Sequence, residues 1–562
     1  MEIYYAAAVR SMSINWHNFI FGAFDPDATI TLDKLPGAFW IQALFIRAFG
    51  VHLWVIVLPQ ILEGVLSVLV LYRVVRRLLG AVAGIIAASI LVLSPVNVAL
   101  NRGNISDTLL ILCLLLAVDA ALSAATSGSI GSIVATGVWM GAAFQAKMLE
   151  AWLILPAIWL FIALLSTSRW KAVLARIAAI SVVAAAVSLS WMSVVSLVPA
   201  SSRPYVDGSS NNSVFHQVFV YNGFSRVGSL SPDQVLDKTV GTHLPPPAAP
   251  SWERLFRGSL GRAGGWLLPA AVLTLLAGLI TTRRRARGDP WRASFVLWGA
   301  WLIVLGVTFS AGSSLNSYYL ATLSPAAAGL LAAGAHLAWK HRESLVVRLL
   351  VLSIMTITVA YGMFLLPSKG EGIGPWTAPL VIFAFVVAAT VVCISRRLSE
   401  RSETRVGFIV MCSILMLPTI ASLSIATNGL GIFDTPFELH STAIAVGAYF
   451  GTPTSESVLE NLEAARDGAP YLMATQSSAV AAPFIFETGL EVLPIGGFAG
   501  VGPSPTLGRL RNLIGEGKFH LVIEARNSRD SRIVWIAQNC TVVPAPSTNP
   551  SKLSIYYCQP GD

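Results

Sequence analysis

Short polar segments with residues suited to group-transfer chemistry lie at the edges of long apolar runs in this chain. Residues 29–40, TITLDKLPGAFW, place Asp33 beside Lys34, and residues 100–110, LNRGNISDTLL, contain Arg102 and Asp107. A carboxylate can take a proton from a hydroxyl group or bind a divalent metal. Lysine and arginine suit a phosphate leaving group. We therefore treat Asp33 and Asp107 as candidate bases, and Lys34 and Arg102 as candidate phosphate ligands.

Three further segments contribute residues of the same kinds. The segment FQAKMLEAW contains Lys147, and RPYVDGSSNNSVFHQVFVYNGFSR and LNSYYLATLSP add polar and aromatic side chains. Aromatic rings suit sugar faces or lipid. The candidate ligands from these segments are Lys147, Arg203, Tyr221, Asn222, Tyr318 and Tyr319. Plainer interpretations stay open, because Lys147 could extend from a helix end into solvent and Asp107 could cap a helix. Asp207 and Glu150 are the alternative bases.

Composition places these segments in a polytopic membrane protein. The 562 residues are 55% hydrophobic and only 12% charged, with a mean hydropathy of +0.68. Apolar runs of membrane-spanning length recur along the chain. The formal net charge is +9, but lysine and arginine occur in short clusters between apolar runs. That pattern is typical of cytoplasmic loops and not of a nucleic-acid-binding surface.

The hydropathy pattern predicts twelve membrane spans and their orientation. The runs are 52–72, 81–100, 106–126, 130–146, 149–167, 172–199, 264–282, 291–311, 317–339, 346–366, 375–395 and 406–427. If the spans alternate, every basic cluster falls on one side, which the positive-inside rule makes cytoplasmic. Residues 1–50, 200–263 and the tail then face outward from the plasma membrane. We predict a membrane domain over 1–427 and an extracytoplasmic domain over 428–562.

The tail has the pattern of a small α/β domain. SESVLENLEAARDG has helical periodicity, PYLMAT, LEVLPIGG and KFHLVIEA resemble strands, and GGFAGVGPSP is a turn-rich loop. Cys540 and Cys558 are the cysteines of this tail, and they could pair if it lies outside the cytoplasm.

The order of these motifs resembles a known family. The matching stretches are YYAAAVRSMSINWHNFIFGAFDP, DKLPGAFWIQAL, NRGNISDTLLIL, FQAKML, RPYVDGSSNNSVF, VYNGFSR, YYLATLSP and EVLPIGGFAGVGPSPTLGRLRNLI. The chain resembles glycosyltransferase family 39, which includes protein O-mannosyltransferases and aminoarabinose transferases of lipid A. It is most similar to the bacterial mannosyltransferase branch with an extracytoplasmic C-terminal domain.

The resemblance implies a GT-C membrane fold with about thirteen spans in the complete protein, and hence one helix upstream of this sequence. It implies that Asp33 and Lys34 line an outward cavity where a polyprenyl-phosphate sugar meets its acceptor. Pro36 would end the loop and start an interfacial helix. Leu35 replaces the first proline of the usual acid-Lys-Pro-Pro motif. The acidic pair that many members carry after the first helix would fall at or before Met1 and Glu2.

We expect an integral membrane glycosyltransferase whose donor is a lipid-linked sugar phosphate. A divalent metal is an optional cofactor, and no nucleic-acid partner is expected. One alternative is a transporter or flippase of lipid-linked sugars, which would predict charges near span centres and internal repeats. Another is a catalytically inactive member that binds or scaffolds. The sequence leaves the sugar and the acceptor undefined.

Overall fold

The computed structural model describes residues 1–226, 232–240, 248–313, 315–367, 374, 376–438, 456–525, 528–543 and 553–560. The chain divides into two compact units. The first unit comprises Met1–Pro59, Ser190–Pro247 and Ile444–Asp562, and the second unit comprises Gln60–Leu189 and Ala248–Ala443. Each unit is described by itself below.

Long apolar helices make up most of the membrane part. Within the described ranges, eight helices are long and apolar enough to cross a membrane: Leu53–Leu79, Asp107–Ser127, Trp170–Leu197, Pro290–Ala311, Ser317–Lys340, Leu345–Leu365, Thr377–Arg397 and Thr404–Thr427. Two bent pairs raise the number to ten if each is one span. They are Ala81–Val92 with Pro95–Asn101, bent by 65°, and Gly258–Gly265 with Leu268–Thr282, bent by 61°. Pro95 is the first residue of Pro95–Asn101, and Pro269 is the second residue of Leu268–Thr282. The missing N–H of proline is tolerated at the start of a helix.

Helices occur in all twelve predicted runs. Ten runs correspond to the eight long helices and the two bent pairs, and the remaining two are 130–146 and 149–167. They form the helices Ile130–Lys147, Leu149–Trp152 and Leu155–Leu165. The helix Ile130–Lys147 is not among these spans partly because its glycines lower its mean hydropathy. A Cβ at Gly137 would lie 2.6 Å from the Cβ of Val183, and one at Gly141 would overlap Val187. The glycines therefore permit close packing against the helix Trp170–Leu197.

The first unit combines short N-terminal helices with the C-terminal sheet. Its helices are Ile3–Ile14, Trp16–Phe21, Gly37–Phe49, Pro232–Val240, Glu456–Ala465, Ser478–Thr488, Leu507–Gly515 and Ser531–Asn539. Short 3-10 or π turns lie at Ala200–Ser202, His216–Tyr221 and Phe224–Arg226. In the second unit, comparable turns lie at Arg254–Phe256, Gly261–Gly265, Ser317–Leu323, Ser395–Arg397 and Glu400–Ser402.

The sheet has five strands in the order β2-β1-β3-β5-β4. The strands are β1 (Met473–Gln476), β2 (Val492–Ile495), β3 (Leu521–Ala525), β4 (Thr541–Val543) and β5 (Leu553–Tyr557). Strand β1 runs parallel to β2 and β3, whereas β5 runs antiparallel to β3 and β4. The predicted small α/β domain is confirmed, and the three strand-like runs overlap β1, β2 and β3. The predicted disulfide between Cys540 and Cys558 is also present.

Candidate active site

The loop that leads to Asp33 is folded by its own backbone and by the segment around Tyr205. The carboxylate of Asp25 accepts the N–H groups of Thr29 at 2.8 Å and Ile30 at 3.0 Å. The N–H of Thr31 donates to the carbonyl of Tyr205 at 2.9 Å. Asp25 therefore acts as a turn residue, and two separate segments of the first unit fix the loop before Asp33.

Asp33 is 4% exposed, and both of its backbone polar groups are bound by side chains of the first unit. Its N–H donates to the hydroxyl of Tyr4 at 3.1 Å, and its carbonyl accepts the amide of Asn222 at 2.6 Å. Its Oδ1 accepts no hydrogen bond from the described residues, and it lies 3.7 Å from the Nζ of Lys34. The fold therefore fixes the backbone of Asp33 and leaves one carboxylate oxygen able to accept a proton.

Lys34 turns towards an aromatic residue and not directly onto Asp33. Its Nζ donates to the hydroxyl of Tyr5 and lies 4.6 Å from the centre of that ring. Pro36 then caps the helix Gly37–Phe49, as the resemblance implied. Gly22 has φ = +64°, and a Cβ there would lie 2.8 Å from the Cβ of Pro36. A glycine at this position therefore lets the preceding turn approach the start of the helix.

A second buried carboxylate, that of Asp207, lies near Asp33 in the first unit. Its Oδ2 accepts the N–H of Phe498 at 2.8 Å, and its Oδ1 accepts the N–H of Gly208 at 2.7 Å. Burial, and then the charge of Asp33, raise the pKa of Asp207 to about 7. Gly497, with φ = +65°, faces this carboxylate so closely that any side chain there would overlap Asp207.

Tyrosines complete this group. Burial, followed by the charges of Asp33 and Asp207, raises the pKa of Tyr4 well above its ordinary range, and Tyr221 also contributes. The ring of Tyr221 packs on Gly208, where a Cβ would lie 2.6 Å from its Cδ1. The group is therefore Tyr4, Asp33, Lys34, Asp207, Tyr221 and Asn222.

Arg203 has a different local role. Its guanidinium donates to the side chain and the carbonyl of Asn212, both at 2.9 Å, and so ties its own loop together. Its assignment as a substrate ligand stays a prediction.

In the second unit, Asp107 and Lys147 form a direct ion pair. Asp107 begins the helix Asp107–Ser127, and Lys147 ends the helix Ile130–Lys147. The Nζ of Lys147 donates to the Oδ1 of Asp107 and lies 3.1 Å from the Oε2 of Glu150. Met148, between the helices Ile130–Lys147 and Leu149–Trp152, has φ = +50°, a conformation uncommon for residues other than glycine. This turn brings Lys147 and Glu150 to the same place, so Lys147 does not extend into solvent.

The remaining oxygen of Asp107 resembles that of Asp33. The side chain of Asp107 is 1% exposed, and its Oδ2 accepts no hydrogen bond from the residues that the structure describes. The side chain of the preceding Ser106 makes no capping bond, and the other oxygen of Asp107 is bound by Lys147. Ion pairing therefore describes Asp107 better than helix capping.

Aromatic rings cover the lysine. The Nζ of Lys147 lies 3.7 Å from the ring centre of Tyr319 and 5.2 Å from that of Tyr318, both within cation–π range. Tyr318 packs edge-on against Tyr319 and against Phe433. The structure thus brings together four of the predicted residues: Asp107, Lys147, Tyr318 and Tyr319.

Arg102 lies apart from the contacts of Lys147. It is exposed, and its Nη1 donates to the carbonyl of Ile425 at 2.7 Å, near the C-terminal end of the helix Thr404–Thr427. A cation there is also favoured by the helix dipole. Glu63, in the helix Leu53–Leu79, accepts the hydroxyl of Thr108 at 2.6 Å, one residue after Asp107 in a neighbouring helix.

The part of the chain that the structure describes contains no set of three or more histidine, cysteine or acidic residues placed to hold a metal ion. Among the residues that sequence reasoning left out of the candidate site, Tyr4 and Tyr5 contact Asp33 and Lys34 directly. The signal that could have found them is the YYAAAV segment, which matches the family but contains no charged residue.

Comparison with known proteins finds sequence matches for two parts of the chain. Residues 33–192 match the family "Dolichyl-phosphate-mannose-protein mannosyltransferase", and residues 458–539 match "Putative mannosyltransferase YkcB-like, C-terminal". The chain is 29% identical to "Putative mannosyltransferase YycA" of Bacillus subtilis, over 95% of this chain and 90% of the relative. It is 28% identical to "Putative mannosyltransferase YkcB" of the same organism, over 95% and 87%.

Among solved structures, the chain is similar to ArnT from Cupriavidus metallidurans. The apo structure has a TM-score of 0.55 at 17% identity, covering 99% of this chain and 93% of that one. A structure of the same protein bound to undecaprenyl phosphate has the same TM-score at 18% identity and the same coverage. These neighbours define the fold as that of a GT-C multi-pass membrane protein.

With the sequence matches, the chain is identified as a GT-C glycosyltransferase similar to glycosyltransferase family 39.

Proposed function

We propose that this protein transfers mannose or a similar sugar from a polyprenyl-phosphate donor to an acceptor outside the cytoplasm. The acceptor would be a protein, a lipid or a cell-wall glycan. The relatives named as mannosyltransferases and the ArnT structure with bound undecaprenyl phosphate support this choice. The observation that carries it is that Asp33 and Asp107 each keep one buried carboxylate oxygen that accepts no hydrogen bond from the described residues.

A carboxylate of this kind can activate the acceptor. In the proposed reaction, Asp33 or Asp107 takes the proton of an acceptor hydroxyl, whose oxygen forms a bond to the anomeric carbon of the sugar. The bond between that carbon and the phosphate oxygen breaks, and its electron pair leaves with the polyprenyl phosphate. The reaction needs no other reactant, and the proton stays on the aspartate until it returns to solvent.

The basic residues would hold the donor phosphate. Lys34 and Lys147 each present an ammonium group near a candidate base, and Arg102 presents an exposed guanidinium. Lys147 already contacts the carboxylates of Asp107 and Glu150, so a phosphate would have to share its charge with them. Tyr318 and Tyr319 form an aromatic surface beside Lys147 that suits a sugar face or a lipid chain.

The direct test is transfer by the purified chain in vesicles. The donor is polyprenyl-phosphate mannose labelled in the sugar, and the acceptor is a membrane and cell-wall extract of the source cells. We expect label in the acceptor and free polyprenyl phosphate in equal amounts. Parallel samples with EDTA or added Mg²⁺ or Mn²⁺ measure the metal requirement. Recovery of intact donor would contradict the proposal, and donor that crosses the vesicle membrane intact would indicate a flippase.

We further propose that the C-terminal domain, residues 428–562, lies outside the cytoplasm. The basic loops all fall on the opposite side in the predicted topology. The disulfide between Cys540 and Cys558 also supports this side, because such bonds persist in oxidising compartments.

Cysteine labelling in intact cells tests this topology. In a chain with Cys113, Cys393 and Cys412 replaced by serine, Arg509→Cys adds an exposed thiol to the C-terminal domain. The matched control, Arg284→Cys, adds one to an exposed basic loop. A membrane-impermeant maleimide should label Arg509→Cys directly and label Arg284→Cys only after permeabilisation. The reverse pattern would contradict the orientation.

A further inference from the structure

A cavity of about 550 Å³ lies in the second unit, and its lining includes none of the candidate site residues. It is bounded by the helices Leu268–Thr282, Ser324–Lys340, Leu345–Leu365 and Glu403–Thr427. Its volume falls within the roughly 300–1,000 Å³ that is usual for small-molecule sites.

The lining of this cavity is amphipathic. Its apolar part includes Met355 and Ile414, from the middles of their helices, together with Ile90 and Phe295. Its basic residues come from the ends of helices and the adjoining loops. They are Arg285, His336, His341, Arg342 and Arg348. The residues found to line the cavity include no aspartate or glutamate. The cavity therefore has an apolar interior and one positively charged mouth.

Two arginines at this mouth have no acidic partner in the part of the chain that the structure describes. The Nη1 of Arg342 donates to the carbonyl of Trp339 at 3.1 Å, and that of Arg348 donates to the carbonyl of Cys393 at 3.0 Å. The Nε of each is buried and has no hydrogen-bond partner among the described residues. Backbone carbonyls thus orient both guanidinium groups without neutralising them. A phosphate ligand would supply both the missing acceptor and the missing charge.

A second cavity of about 380 Å³ adjoins the first. The two share the lining residues Val82, Ile86, Gly407 and Met411, and the second has no charged residue in its lining. Two neighbouring apolar cavities beside one basic mouth match a molecule with two hydrocarbon chains and one anionic head group.

We propose that this site binds an anionic glycerophospholipid from the leaflet on the side of the basic loops. Its phosphate would contact Arg342 and Arg348, and its two acyl chains would occupy the two cavities. Basic pockets between transmembrane helices are known to bind such head groups. A polyprenyl phosphate has a single hydrocarbon chain, and the two cavities match the two chains of a glycerophospholipid better. The test below includes undecaprenyl phosphate as the competing ligand.

Native mass spectrometry of the purified full chain tests this site without measuring sugar transfer. The chain is released from micelles that contain equal amounts of phosphatidylglycerol and phosphatidylcholine. We expect the wild type to retain phosphatidylglycerol in preference to phosphatidylcholine. The double variant Arg342→Ala with Arg348→Ala should lower this preference by about 30-fold, given the usual contribution of each basic residue near an anionic lipid.

Matched variants separate this site from general surface charge. Arg283→Ala with Arg284→Ala removes two exposed arginines that do not line the cavity, and it should leave the preference unchanged. Arg342→Lys with Arg348→Lys keeps both charges and should keep most of the preference, even if the alanine variant fails to fold. Equal retention of the two phospholipids by the wild type would overturn the proposal. So would loss of the preference in the control variant, or stronger retention of undecaprenyl phosphate than of phosphatidylglycerol.

Discussion

Two aspartate–lysine pairs, Asp33 with Lys34 and Asp107 with Lys147, differ in how the fold holds the lysine. In the first unit, the lysine binds the hydroxyl of Tyr5 and lies 3.7 Å from the carboxylate beside it. In the second unit, Lys147 contacts two carboxylates from different helices and an aromatic ring. In the first pair, the two residues are neighbours in the chain. In the second, the fold brings together the helices that carry Asp107, Lys147 and Glu150.

This difference implies different consequences for charge removal. Lys147 balances two buried acids, so its loss would leave Asp107 and Glu150 next to each other without a cation. Lys34 makes its main bond to a neutral hydroxyl, so its loss would remove one hydrogen bond and a longer ion pair. The same substitution should therefore affect stability strongly in one unit and weakly in the other.

The largest contrast is expected between Lys147→Ala and Lys34→Ala. Breaking a buried ion pair by removing one partner typically costs roughly 3–5 kcal/mol, whereas losing a single hydrogen bond costs about 1 kcal/mol. Lys147→Ala should therefore lower the unfolding temperature of the purified protein far more than Lys34→Ala. Lys147→Arg keeps the charge and should restore part of both the stability and the affinity for the donor.

Thermal unfolding in detergent, with donor titrations of each folded variant, measures both effects. Equal unfolding temperatures for the two alanine variants would contradict the contrast drawn between the pairs.

A smaller effect concerns pH and the group around Asp33. The pKa of Asp207 in the folded protein, about 7, lies above its ordinary value of 3.8. Between these two pH values, the carboxyl group of Asp207 is protonated in the folded state and ionised in the unfolded state. This contribution to stability is complete below about pH 4, and it is lost as the pH rises towards 7. Its size is on the order of a few kcal/mol.

Asp33→Asn should weaken this pH dependence, because the charge of Asp33 is the second cause of the raised pKa of Asp207. The measurement is the unfolding temperature between pH 5 and pH 8. Asp467→Asn, at an exposed position of the first unit, is the matched control and should keep the wild-type profile. A profile in Asp33→Asn that equals the wild-type profile would show that Asp33 does not act on Asp207.

The sequence predicted the parts of the site that depend on local segments. It identified Asp33, Lys34 and the helix that follows Pro36, because these features are adjacent in the chain. It also named Asp107 and Lys147, but it could not show that they touch, since 40 positions separate them. Glu150 lies only three residues after Lys147, but the turn at Met148, and not a continuous helix, brings the two side chains together.

Longer-range features were less predictable. Asp207 binds the N–H of Phe498 across 291 positions, and only the fold brings those loops together. Strands β4 and β5 were not predicted from the sequence. Strand β4 has only three residues and no alternating apolar pattern. Strand β5 pairs with β3, and β4 pairs with β5 to form that edge of the sheet; both pairings depend on contacts that the local sequence does not specify.

In the proposed reaction, Asp33 or Asp107 supplies the oxygen that accepts the proton. Asp33→Asn and Asp107→Asn keep the side-chain shape and remove the base. Loss of a general base typically costs about 100- to 10,000-fold in rate. Asp119→Asn is the matched control, because Asp119 forms ion pairs with Arg73 and Arg77 and belongs to neither candidate group.

The most direct measurement is the rate of transfer from polyprenyl-phosphate mannose by each purified, folded variant at saturating donor. We expect a loss of at least about 100-fold in Asp33→Asn or Asp107→Asn and a near wild-type rate in Asp119→Asn. Full activity in both Asp33→Asn and Asp107→Asn would contradict the claim, and Asp207 and Glu150 would then be the next candidates for the base.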